Sequence, residues 1–215
     1  METNIIQVLL VDDHPVVRSG YRRLLENTLD IKVIYEATSG EEAYTAYVKH
    51  HPDAVIMDLS MEGMGGLAAI RKIRRYDKSA RILVFSVHEN ETFLNHALNE
   101  GAFGYISKRS AAKVMIEAVR KVAQGKTFIG QEMQPYLVNN ISSENEAHLS
   151  DKLSPREFEV YQLLAQGKSV IEIAQILNLS PKTVGHHYTH VKKKLNVANL
   201  AELTQLAIRE KLIEP

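Results

Sequence analysis

The chain has 215 residues, 45% of them hydrophobic and 24% charged, which is ordinary for folded protein and long enough for one large domain or two modest ones. Its 26 Lys/Arg balance 26 Asp/Glu, so no global field holds a polyanion and any nucleic-acid surface must be local. The lack of cysteine excludes disulfides, thiolate nucleophiles and Cys-based zinc sites.

The opening stretch METNIIQVLLVDDHP lacks the basic start and small-residue cleavage site of a signal peptide. No apolar run approaches the ~18 residues of a membrane span. A cytoplasmic protein with no membrane partner is expected. Short apolar runs rich in β-branched or aromatic residues follow at 8–11, 33–35, 54–57, 82–85 and 103–106. Amphipathic helical patterns separate or follow them at 16–29, 41–50, 67–76, 91–99 and 112–123. Five β–α units in succession predict an α/β fold, a five-stranded parallel sheet wound on both faces by helices. Strands buried on both sides also explain continuous apolar runs in place of alternation.

After residue 126 the grammar changes. The stretch QEMQPYLVNN has the pattern of a short helix, and SSENEAHLSD (142–151) is polar and aperiodic, as a linker is. From Leu153 onward no strand pattern remains. Ser154–Glu157, Ser169–Glu172 and Asn199–Glu202 each set a capping residue three before a Glu, and Ser180 precedes Pro181 at a first helical position. Four helices are predicted. The expected division is 1–126, a linker over 127–150, and an all-α unit over 151–215. The segment 151–215 carries nine Lys/Arg against seven Asp/Glu, a small asymmetry whose sign fits a basic surface there and an acidic pocket in the first half.

In a parallel α/β sheet, ligands bind outside the carboxyl ends of the strands. Asp12 and Asp13 follow the first predicted strand, Asp58 the third, Ser86 ends the fourth, and the fifth runs into Lys108. Three carboxylates at one rim call for a cation. Oxygen-only ligands select a hard one, and Mg2+ is the expected cofactor. A lysine and a hydroxyl opposite would hold phosphoryl oxygens, with one carboxylate as nucleophile toward phosphorus. A serine alcohol is an alternative acceptor, although Ser86 looks better placed to bond the product. His14, Pro15 and the Gly65-Gly66 pair read as loop, helix start and tight turn.

Residues 5 to 125 resemble the receiver domains of two-component response regulators. The resemblance rests on VDDHP, VIMDLSM around Asp58, VFS ending at Ser86, and GAFGYISK with Tyr105 and Lys108. It implies a flavodoxin-like receiver in which Asp58 accepts a phosphoryl group from a sensor histidine kinase. It further implies Asp13 as a direct Mg2+ ligand, Asp12 orienting a coordinated water, and the Ser60 carbonyl as another ligand. Ser86 and Tyr105 would be the switch pair that moves inward. Glu62 departs from the proline common four residues after the acceptor, and weaker acyl-phosphate accumulation or altered Mg2+ dependence is expected from it. His88, two residues past Ser86, stands where family side chains modulate loss of the phosphoryl group.

Most of residues 152–212 resemble the helix-turn-helix of the NarL/FixJ (LuxR-type) regulators, through Leu153-Ser154 with Arg156-Glu157, Gly167, Glu172-Ile173-Ala174, Leu177, Ser180, Thr183-Val184, His187, Lys194-Leu195 and Ala207. This implies a transcription regulator that binds duplex DNA, with homodimers on paired half-sites when phosphorylated. At about 100° per residue, Val184, Tyr188, Val191 and Leu195 face a core. Lys182, His186, Thr189 and Lys193 point away, Gly185 and Lys192 flank that face, and His187 lies near the core boundary. The expected DNA contacts are Ser180, Lys182, Thr183, Gly185, His186, His187, Thr189, Lys192 and Lys193. Gly185 stands where many relatives have a long side chain, and Val170 replaces a common Asn. His186 and His190 lie about 40° apart and His187 roughly 60° further round, so a three-histidine metal site is not expected. In the last helix Leu200, Leu203, Leu206 and Ala207 form a stripe equally suited to a core or a dimer seam. Two rival functions are a Mg2+-dependent phosphohydrolase and a receiver with an RNA- or protein-binding output. The first usually needs a second acid two residues after the nucleophile, where Ser60 stands here, so no enzyme is expected.

Overall fold

Strand-forming apolar runs and helix caps alternate in the first half, and the computed structural model arranges them as a parallel sheet wrapped by helices. Residues 5–61, 64–136, 152–177, 179–210 and 212–213 are described. The chain divides into two compact units, 1–137 and 138–215.

In the first unit, β1 (Ile6–Val11), β2 (Ile31–Ala37), β3 (Ala54–Met57), β4 (Ile82–Ser86), β5 (Gly104–Ser107) and β6 (Phe128–Ile129) pair in the order β2-β1-β3-β4-β5-β6. Every pairing is parallel. The intervening helices are α1 (Pro15–Glu26), α2 (Gly40–His50), α3 (Gly66–Tyr76), α4 (Glu91–Asn99) and α5 (Ala112–Ala123). Val8, Leu10, Ile56, Leu83, Phe85 and Ile106 form a core with Leu25 of α1 and Met115, Ala118, Val119 and Val122 of α5. The alternate residues Leu9, Val11, Val55, Met57 and Val84 are buried as well, as strands covered on both faces require.

The sheet has six strands where the sequence predicts five. β6 falls inside the stretch expected as linker and is two residues long, too short for any period to register. It is held by Phe128 N donating to Phe103 O (3.1 Å) and Gly130 N to Tyr105 O (2.9 Å). A 3-10 turn, Gln131–Met133, follows where a short helix is predicted. Residues 134–136 continue as helix, as predicted; residues 137–140 of that stretch, the linker 142–151 and the Glu62 departure lie outside the described residues.

Among the described residues the second unit holds four helices, α6 (Pro155–Ala165), α7 (Val170–Ile176), α8 (Pro181–Leu195) and α9 (Leu200–Arg209). Each starts after the predicted cap: Ser154, Ser169, Ser180 and Asn199 all accept a backbone N–H from three residues on. Glu157 and Glu172 complete reciprocal capping boxes. Glu202 differs, since its carboxylate takes the Ala198 N–H (2.8 Å) instead of the cap's own. Phe158, Tyr161, Ile173, Val184, Val191, Leu195, Leu203, Leu206 and Ala207 make the small core. Leu203, Leu206 and Ala207 are thereby spent on the core, and Leu200 is exposed. Among the described residues no helix is long and apolar enough to cross a membrane.

Candidate functional site

Sheet register explains why residues far apart in sequence meet. Val11 pairs with Met57 and Ser86 with Ser107, so Asp12, Asp58, Ser86 and Lys108 leave the sheet at the same rim. Asp58 N donates to Val11 O (3.0 Å) and Lys108 N to Ser86 O (2.8 Å). Asp12 and Asp58 are 2% and 1% exposed, and Ser86 is fully buried. Lys108 Nζ bridges the carboxylates, 2.7 Å from Asp12 Oδ2 and 2.8 Å from Asp58 Oδ2.

Local chemistry fixes each loop. Asp12 Oδ1 accepts the His14 N–H (2.8 Å), an Asx-type turn, and Pro15 occupies the first turn of α1. Arg18 Nη1 donates to the Asp12 carbonyl (2.8 Å) while its Nε holds Glu36 (3.0 Å). Gly66 opens α3 directly against the acceptor strand. A Cβ there would lie 2.0 Å from the Asp58 carbonyl oxygen and 2.7 Å from Leu59 Cα, so only glycine fits the turn predicted at 65–66.

The electrostatics follow from burial. Desolvation raises the Asp58 carboxyl above its ordinary range, against the opposing pull of the Lys108 ammonium. Burial alone would lower Lys108, but Asp58 and Asp12 outweigh it and leave the ammonium raised. Asp12, Asp13, His14 and Asp58 offer ligand atoms within 4.8 Å of one another. His14 Nδ1 lies 2.7 Å from Asp13 Oδ1, close but without the alignment of a hydrogen bond. Among the described residues Asp13 Oδ1 is therefore a buried acceptor with no hydrogen-bond donor. Asp12 is already engaged through both oxygens. Three clustered carboxylates, one with an oxygen that takes no hydrogen bond, fit a hard cation, with Asp13 the readiest direct ligand.

The other receiver residues border this pocket. Tyr105 is fully buried, and its hydroxyl donates to the His88 carbonyl (2.9 Å), so it already occupies an inward position. Burial, and then the charges of Asp58 and Glu89, leave its phenol well above the ordinary range, against the lowering contact with Ser86. His88 Nε2 lies 2.9 Å from Ser60 Oγ, and the ring stacks on Phe93 at 3.7 Å. Burial, followed by the Lys108 charge, pushes His88 down to about 4, so it is neutral at physiological pH. Ser60 N donates to Asp58 Oδ1 (3.3 Å). Sequence reasoning did not single out Glu89, Glu132 or Tyr136. Glu89 takes the Ser107 hydroxyl, Glu132 takes Ser107 N and Ser110 Oγ, and Tyr136 donates to Glu89 O. Nothing in their spacing marks them, because each partner lies on a different segment.

In the second unit α8 presents Lys182, His186, Thr189 and Lys193 exposed, with Val184, Val191 and Leu195 buried, as its periodicity predicts. Ser180 is exposed, and Thr183, Gly185, His187 and Lys192 are half-buried. Tyr188, expected in the core, is half-buried and lies under Lys192 Nζ (4.9 Å). The Thr189 hydroxyl donates back to Gly185 O (2.9 Å), leaving only its lone pairs for a base edge. Ser180 Oγ accepts Thr183 N (3.1 Å) and lies 2.8 Å from Thr183 Oγ1. Burial and the Arg156 charge lower His187. Lys194 leaves the basic run: its Nζ pairs with Glu157 Oε2 (2.6 Å), and His190 Nδ1 lies 3.4 Å from Oε1 of the same carboxylate. The His186 and His190 rings are 4.2 Å apart. Among the described residues, three or more metal-ligating side chains converge in the acidic pocket and nowhere on α8.

Two family models match the chain: the response regulator receiver domain over residues 8–120 and the bacterial regulatory proteins of the luxR family over 151–207. The response regulator UvrY of Escherichia coli is 40% identical over 209 residues, covering 97% of this chain and 96% of UvrY. The oxygen regulatory protein NreC of Staphylococcus epidermidis is 39% identical over 217 residues, covering 97% of this chain and 100% of NreC. Among solved structures, RcsB of Salmonella enterica serovar Typhimurium, bound to a promoter in the presence of the phosphomimetic BeF3−, matches with TM-score 0.69 and 28% identity, covering 94% of this chain and 98% of RcsB.

Proposed function

The chain belongs to the response regulators with a receiver and a LuxR-type DNA-binding domain, and from that premise we propose that Asp58 accepts a phosphoryl group from a sensor histidine kinase and that α8 carries the response to duplex DNA. The carrying observation is the convergence of Asp12, Asp13, Asp58, Ser86 and Lys108 on one rim of the sheet.

An Asp58 carboxylate oxygen attacks phosphorus, an O–P bond forms, the N–P bond of the donor phosphohistidine breaks, and the imidazole leaves. Lys108 Nζ, already on Asp58 Oδ2, is positioned to pair with an oxygen of the incoming phosphoryl group. Ser86 at the end of β4 offers a hydroxyl to another. Asp13, Asp12, Asp58 and the Ser60 carbonyl are the residues that would hold Mg2+. When bound, Mg2+ supplies positive charge to the carboxylates and phosphoryl oxygens together. Residue 60 is a serine whose hydroxyl faces a neutral His88; with no second acid there to drive hydrolysis, the product is a stored signal and not an intermediate of turnover.

The added charge draws on Lys108 and Ser86 and biases a two-state equilibrium of the receiver. In the second unit, Lys182, His186, Thr189 and Lys193 face outward to enter a major groove. Ser180, Thr183, Lys192 and the neighbouring Gly185 and His187 border the phosphate backbone. The phosphorylated chain binds paired half-sites as a homodimer, in the cytoplasm where the DNA lies. Asp58→Asn should take up no phosphoryl group from acetyl phosphate with Mg2+, and should lose the phosphorylation-dependent gain in duplex binding. Retained phosphorylation in that variant would overturn the acceptor assignment; duplex binding that does not weaken with salt would overturn the DNA reading.

A further inference from the structure

We propose that Glu132 and Tyr136, which lie beyond the five β–α units, are positioning residues of the acceptor pocket, so that the chain leaving the receiver is fastened to the loops that follow β4 and β5, the strands that deliver Ser86 and Lys108 to the pocket. The proposal rests on the acceptor reading above and extends it to residues outside the receiver-family match, which ends at residue 120.

β6 makes this possible. Its pairing with β5, register Tyr105↔Ile129, carries the chain to the carboxyl end of the sheet, the rim that bears the pocket. The turn Gln131–Met133 then folds over that rim, anchored by the fully buried Met133. From it, Glu132 Oε1 accepts both Ser107 N (2.9 Å) and Ser110 Oγ (2.5 Å). One carboxylate oxygen thus brackets Lys108 and Arg109, and Lys108 is the residue whose ammonium bridges Asp12 and Asp58. Burial would raise the Glu132 carboxyl, but these donors hold it below its ordinary range, as a carboxylate committed to both bonds should be.

The second loop is held in parallel. Tyr136 OH donates to the Glu89 carbonyl (3.0 Å). Tyr105 OH, the switch tyrosine by family resemblance, donates to the adjacent His88 carbonyl (2.9 Å). Glu89 closes the circuit by accepting the Ser107 hydroxyl. Two tyrosines, one inside the receiver and one on the chain leaving it, therefore grip consecutive carbonyls of the same loop. A shift of residues 88–89 that changes the Tyr105 bond also changes the Tyr136 bond. Coupling free energy is reciprocal, so if the pocket's state alters the hold on residues 131–136, weakening that hold must alter the pocket.

Three changes test this in the full-length chain. Tyr136→Phe removes one hydroxyl and Glu132→Gln removes one charge. Gly130→Ala acts from a distance: residue 130 has φ −56, which alanine adopts freely, but its Cβ would lie 2.5 Å from Glu132 Oε1 and displace that carboxylate. Gln134→Ala, at an exposed position on the same segment, is the control. Each is loaded with acetyl phosphate and Mg2+, and the rates of phosphoryl gain and loss are followed. Amide exchange is measured over 107–110 and 130–136, with and without beryllofluoride. The expected result is at least a threefold change in the rate of gain or loss for the three variants and none for the control. In wild type, beryllofluoride should change exchange over 131–136. If the variants loosen 131–136 yet gain and lose the phosphoryl group at wild-type rates, the segment is a terminal cap and the proposal falls. Wild-type exchange over 131–136 that ignores beryllofluoride would sink it equally. A wild-type chain that takes no phosphoryl group overturns the acceptor reading itself, whereas the two results above sink this proposal and leave that reading standing.

Discussion

Gly185 stands in α8, the helix proposed to face DNA, and no described neighbour requires a glycine there. A Cβ built there meets no heavy atom within 4 Å. Its backbone φ lies outside the left-handed region, unlike Gly101, Gly125 and Gly167. Gly185→Ala should therefore recover the helix-propensity difference, about 0.8–1.0 kcal/mol, without strain. In hydrogen exchange on the full-length chain, the slowest amides of α6–α9 should exchange about fivefold more slowly, which is that energy at 25 °C. A domain of this size would gain roughly 4–8 °C in melting temperature per kcal/mol. Exchange that is unchanged or faster would refute the reading that residue 185 is unconstrained in the free protein. Duplex binding by the same variant then separates two roles. If alanine stabilises the domain but weakens binding, the glycine serves close approach of the DNA. Gly185→Lys should raise affinity and steepen the salt dependence of log K by about one unit if the position borders phosphate.

Gly66→Ala should do the opposite at the acceptor. Its Cβ meets backbone of Asp58 and Leu59, which cannot rotate away, so the receiver should lose about 2 kcal/mol or more in urea denaturation and gain phosphoryl groups more slowly. Lys108→Met removes the ammonium between two carboxylates that are almost fully buried; in chelator the receiver should lose about 3 kcal/mol, and millimolar Mg2+ should stabilise the variant more than wild type. Glu157 supplies a pH signature in the second unit. Burial would raise its carboxyl, but Lys194 and the Ser154 amide and hydroxyl hold it below the ordinary 4.5. A depressed carboxylate contributes stability above its unfolded pKa and loses it as pH falls through the folded one. Exchange protection of α6–α9 should thus fall progressively as pH is taken below about 4.5, and Glu157→Gln should flatten that fall while lowering protection at pH 7.

The sequence by itself determined whatever depends on neighbours along the chain. Helix starts were legible at Ser154, Ser169, Ser180 and Asn199 because a cap and its N–H are three residues apart. The β–α alternation was legible because buried strands and amphipathic helices differ in period. The pocket was legible once those strands were known to be parallel, since parallel strands deliver their ends to one rim. Tertiary structure decided what depends on register and on pairs without a period. β6 is two residues long and exists only because β5 offers a free edge. Lys194 reads as part of a basic run until Glu157, 37 residues back, claims it. Tyr188 sits on the helix face predicted for the core, but the core is small and leaves it half-exposed beside Lys192. Glu132 and Tyr136 reach the pocket across 25 and 47 residues. A single hydrogen bond between distant segments leaves no pattern in the sequence of either.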